Sequence, residues 1–119
     1  MKIFETTVKG IGLNAELFKH ENLLILFGEN APDTLADYCF NIEMNKSERE
    51  IKPGMTLKFD EQDYKITAVG EKVKKNLDDL GHITIKFDGS TKAKLPGTLY
   101  VEEKEYPVVQ IGTKISIIL

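Results

Sequence analysis

The chain has 119 residues, and its 16 basic and 19 acidic side chains leave a net charge of −3. That length suits one domain with a modest core, and so much mixed charge belongs to a soluble globule rather than a disordered chain. The acidic balance excludes a basic nucleic-acid surface, no apolar run reaches the ~20 residues of a membrane helix, and the one cysteine, Cys39, excludes an internal disulfide or a multi-cysteine metal site.

The opening MKIFETTV lacks the apolar core of an export signal, so a reducing cytoplasm is the expected compartment. Lys2 to Lys9 predicts a first strand, with Ile3, Glu5 and Thr7 on one face and Phe4, Thr6 and Val8 on the other; Gly10 and Gly12 should end it. Asn14 to His20 is read as one helical turn anchored by Leu17. Leu23 to Phe27, LLILF, is a short apolar run between Asn22 and Gly28, and its length predicts a core strand. Asn30 is placed to cap a helix that tolerates Pro32 early, favours Asp33, and runs to about Tyr38 with Leu35 and Tyr38 toward the core.

Phe40 to Met44 predicts another strand, with Phe40, Ile42 and Met44 on one face, and Asn45 to Glu50 an exposed loop. After a turn at Pro53-Gly54, Met55 to Phe59 and Tyr64 to Val69 form a hairpin joined through Asp60 to Gln62. Lys72 to Leu80 carries Val73, Leu77 and Leu80 at helical spacing, and Gly81 follows where a helix ends in a left-handed glycine. His82 then stands at a helix-to-strand corner.

Ile83 to Phe87 alternates cleanly and closes on the Asp88-Gly89 turn. Ser90 to Lys94 is a polar loop, Pro96-Gly97 a turn, and Thr98 to Val101 a strand. Glu102 to Glu105 is a charged turn, Tyr106 to Gln110 adds a short strand, and Lys114 to Leu119 is the last. About seven short strands and two short helices define one mainly-β domain over 1–119, a small barrel or sandwich. Its core is expected to include Leu24, Leu26, Leu57, Ile66, Val69, Ile83, Ile85 and Phe87.

Catalytic signatures are sparse. There is no GxxxxGK phosphate loop, no HExxH and no GxSxG, and nothing in the spacing of His20, His82 and the carboxylates supports a metal or implies a cofactor. The isolated Gly10-x-Gly12 is too weak a signal to use.

A set of short motifs recurs in order: Ala31-Pro32, Tyr38-Cys39-Phe40, Pro53-Gly54-Met55, Thr67-Ala68-Val69-Gly70, Asn76-Leu77, Leu80-Gly81-His82, Phe87-Asp88-Gly89 and Pro96-Gly97-Thr98. The series resembles the glucitol/sorbitol-specific IIA component of the bacterial phosphotransferase system over nearly the whole chain. The resemblance implies a small cytoplasmic mainly-β protein. It would take a phosphoryl group from the phosphocarrier HPr onto a histidine and pass it to the IIB part of a sugar permease. It implies no nucleic acid and no membrane insertion, and leaves a homodimer open.

One departure bears on mechanism. The family's histidine lies two residues after the Tyr-Cys-Phe motif, and this chain has Ile42 there. If the correspondence holds, Ile42 lies on a strand near a partner-facing surface. His82, in a Gly-His pair that does match, is then the candidate acceptor, with backbone N–H groups near Gly81 as donors to phosphate oxygens. The alternative is that His82 only caps the corner through a ring hydrogen bond to a carbonyl. His20 lies outside the motifs and reads as a surface residue. Cys39, Tyr38 and Phe40 read as core. Two functions stay open: a phosphoryl carrier using His82, or a binding or regulatory relative that has lost the acceptor.

Overall fold

The computed structural model describes residues 1–119. Its eight strands are β1 (Lys2–Ile11), β2 (Leu23–Phe27), β3 (Phe40–Ile42), β4 (Thr56–Phe59), β5 (Gln62–Val69), β6 (Ile83–Phe87), β7 (Thr98–Val101) and β8 (Lys114–Ile118). Two helices, α1 (Asp33–Ala36) and α2 (Val73–Leu80), and a 3-10 turn at Lys19–Glu21 complete the elements. The strands close into a barrel in the order β1-β3-β2-β6-β7-β5-β4-β8. Closure removes the exposed sheet edges that so many short strands would otherwise leave.

Most neighbours are antiparallel, but β2–β3 and β6–β7 pair parallel. A parallel pair needs a connection that returns the chain to its starting end. Residues 28–39 make one such return, and residues 88–97 the other. The second explains why every residue of β7 is buried: the 88–97 segment folds back over the strand, and the Tyr100 hydroxyl accepts the Leu95 N–H at 3.0 Å.

The interior is apolar. Leu24, Leu26, Leu57, Ile66, Ile83, Ile85 and Phe87 are buried as the alternation predicts, and Val69 packs against them from a half-buried position. Phe87 meets the rings of Phe59, Tyr64 and Tyr106, the Tyr64 pair being edge-on with centroids 4.9 Å apart. One barrel end is closed by α2, which buries Val73 and Leu77 and ends in Gly81 at φ 68°. The 43–54 segment is latched to α2 there. Asp78 Oδ1 accepts the Ser47 N–H and hydroxyl at 2.7 and 2.8 Å, and Lys74 bridges Ser47 and Asp78.

Several local expectations change. β1 continues through Gly10 to Ile11, with a register shift between Val8 and Gly10. A second shift, between Lys2 and Phe4, turns both Ile3 and Phe4 inward and breaks the simple alternation. Gly12 follows the end of the strand, and a side chain there would strike the carbonyl of Ala36. Ala15, not Leu17, anchors the next segment, and Leu17 is exposed.

α1 is a single turn with no side-chain cap, and Leu35 on it is exposed. Tyr38 is half-buried against Phe18. Tyr106 to Gln110 forms no strand. Its place is taken by the Tyr106 hydroxyl donating to the Leu23 carbonyl and by Gln62 gripping both backbone groups of Val108.

Candidate functional site

The site forms where the C-terminal end of β2 meets the N-terminal end of β6. These strands run antiparallel, with Leu26 opposite Ile83. Gly28 donates its N–H to the Leu80 carbonyl at 2.9 Å, joining the residue after β2 to the end of α2. Neither Gly28 nor Gly81 leaves room for a side chain. A Cβ on Gly28 would lie 2.2 Å from the Met44 sulfur, and one on Gly81 2.8 Å from the Gly28 nitrogen. Met44 thus fills the niche between the two glycines and supports the corner from which His82 projects.

His82 is half-buried. Its Nδ1 lies 3.1 Å from the Leu26 carbonyl oxygen. A carbonyl only accepts, so Nδ1 holds a proton, and in the neutral ring Nε2 carries the lone pair. The imidazole also stacks on Phe27, with centroids 4.3 Å apart and planes at 23°. The carbonyl bond is the one a capping role predicts, and it is equally the bond that leaves the second nitrogen nucleophilic.

The expected oxyanion donors are spent. Gly81 N–H goes to Leu77 O, His82 N–H to Asn76 O and Gly28 N–H to Leu80 O. These three N–H groups are therefore not free for a phosphate oxygen.

Ile42 does not lie at a surface. It is 1% exposed, opposite Val8 inside the barrel. The inward side of a strand is fixed by its period of two, and Phe40 and Ile42 share the inward face while Asn41 points out. The positional correspondence with the family's histidine therefore does not transfer to a reactive site in this chain.

His20 is exposed in the 3-10 turn before β2, at the barrel end opposite His82, with Nε2 3.7 Å from Glu21. The two histidines do not come together. Cys39 is buried, its thiol donating to the Leu35 carbonyl at 3.1 Å, and burial pushes its pKa up to about 11. It is an inert core residue. Sequence reasoning missed Phe27 as a neighbour of His82, because the contact depends on β2 lying beside β6, and missed Met44 between Gly28 and Gly81.

The structure superposes on the crystal structure of a phosphotransferase-system IIA component from Enterococcus faecalis V583 with a TM-score of 0.87 and 31% identity, covering 98% of this chain and 100% of that one. This is a IIA component fold. The family model described as the glucitol/sorbitol-specific IIA component of the phosphotransferase system matches residues 3–116. The glucitol/sorbitol-specific EIIA components of Shigella flexneri and Escherichia coli K12 are each 37% identical over 99 residues, which is 83% of this chain and 80% of each relative. The chain belongs to the glucitol/sorbitol-specific IIA component family. No helix is long and apolar enough to cross a membrane.

Proposed function

We propose that this chain is a phosphoryl carrier that accepts from HPr on Nε2 of His82 and donates to the IIB part of a glucitol/sorbitol-type permease. The observation that carries the reading is the 3.1 Å contact of Nδ1 with the Leu26 carbonyl. It leaves Nε2 as the nucleophile. In the transfer, the Nε2 lone pair forms the new N–P bond as the N–P bond to HPr breaks, and that electron pair returns to the HPr imidazole. The proton on Nδ1 stays in place. The carbonyl facing it stabilises the positive charge that the His82 ring gains.

The rim around this corner suits a protein partner. Leu80, two residues before His82, is 45% exposed, and Leu95 is 60% exposed. Thr84 N–H donates to the Gly97 carbonyl, which brings Leu95 and the exposed Pro96 to the same barrel end. Apolar groups there can exclude water during transfer.

A second reading has its own support. Ile42 is unreactive and the nearby backbone donors are engaged, which fits a relative that docks partners without carrying phosphate. Incubation with phosphoenolpyruvate, enzyme I and HPr, followed by intact mass, separates the two. The carrier reading expects one acid-labile, base-stable phosphate on wild type and on His20→Ala, and none on His82→Ala. Labelling of His82→Ala at the wild-type level eliminates His82. A folded wild type that takes no phosphate selects the second reading.

A further inference from the structure

We infer that Phe27 is a positioning residue for His82: its ring holds the imidazole on the Leu26 carbonyl and so presents Nε2 outward. The role in transfer rests on the reading of His82 as acceptor. The hold on the ring does not.

A histidine at the start of a strand ordinarily samples several rotamers. Here consecutive residues of β2 grip it twice. Leu26 takes the ring edge through its carbonyl, and Phe27 covers the ring face at 4.3 Å. The edge contact alone leaves rotation about the hydrogen-bond axis. The stacked face removes it, because a ring that turned out of plane would lose the contact.

Phe27 is itself immobilised. It is 6% exposed, although it lies on the face of β2 opposite to Leu26. The Asn41 amide reaches its carbonyl at 3.4 Å, and Gly28 is tied to Leu80 immediately after it. Leu80, Gly81 and His82 on one side and Leu26, Phe27 and Gly28 on the other thus form one closed unit with the Met44 sulfur beneath its glycines.

The test uses the full chain as wild type, Phe27→Leu and Phe27→Tyr. Two-bond nitrogen–proton correlation spectra of the unphosphorylated protein read the His82 tautomer, and enzyme I with HPr reads the rate of phosphorylation. Wild type and Phe27→Tyr should show the Nδ1-protonated form. Phe27→Leu, which keeps an apolar side chain and loses the stack, should show a mixture of tautomers and a rate lower by roughly ten- to a hundredfold.

A wild-type ring protonated on Nε2 overturns the inference, and this holds even if Phe27→Leu does not fold. So does a folded Phe27→Leu with an unchanged tautomer, whatever its rate, since a slower rate alone would assign Phe27 to docking. If Phe27→Leu shifts the tautomer while wild type takes no phosphate, the positioning role stands and the acceptor reading alone falls.

Discussion

Replacing Ile42 by histidine puts the family's residue at the family's position, and the barrel should reject it. Ile42 is 1% exposed, opposite Val8, within the apolar core. Removing its side chain from that core forfeits about 1.5–3 kcal/mol of burial. The imidazole nitrogens then meet only apolar neighbours, and an unsatisfied buried polar group costs about 1–3 kcal/mol more. The sum, about 2.5–6 kcal/mol, is a large share of the roughly 5–15 kcal/mol that holds a domain folded.

The penalty should depend on pH. Burial disfavours the charged imidazole, so its folded pKa falls below the unfolded value of about 6.5. Below that value the unfolded chain binds more protons, and stability drops further as pH falls. Urea unfolding of wild type and Ile42→His at neutral pH and at about pH 5.5 measures both effects. The phosphorylation assay should show no gain of label at the new histidine. An Ile42→His protein within ~0.5 kcal/mol of wild type that also takes phosphate there would refute the inward placement of Ile42.

Two further outcomes test other parts of the fold. Burial raises the pKa of Asp78, but hydrogen bonds from Lys74 and Ser47 outweigh it and hold the carboxyl below its ordinary range. Asp78→Asn should therefore cost about 1–3 kcal/mol at neutral pH. That stabilisation is full above the unfolded value of about 4 and is lost as pH falls through the lower folded value. Urea midpoints should converge in acid, and a constant gap between wild type and variant would refute the latch. Cys39 is buried with its thiol pKa pushed up to about 11. A thiol reagent at neutral pH should modify it only after denaturation, and rapid labelling of the native protein would contradict its burial.

The β6 strand and its approach were legible because their signals are local. Ile83, Ile85 and Phe87 alternate inward, Val73 and Leu77 share one helix face, and Gly81 takes the left-handed cap that a helix end requires. Each of these follows from backbone geometry within a few residues. The ordered motifs also carried the family. Leu35 departs from its expected place for a related reason: it fits an apolar helix pattern, but α1 is too short for that position to reach the interior.

What the chain by itself determined was most of the elements, most of the core and the corner at His82. Apart from the β4–β5 hairpin, which strands lie side by side was settled only by barrel closure, because pairing depends on residues far apart in the chain. The parallel β2–β3 and β6–β7 pairs, the seating of Phe27 beside His82, and the burial of Tyr100 under the 88–97 segment all belong to that level. Ile42 shows the division most directly. Its period-two relation to Phe40 was readable, but the direction of that shared face, toward the core rather than a partner, came only when β3 took its place between β1 and β2.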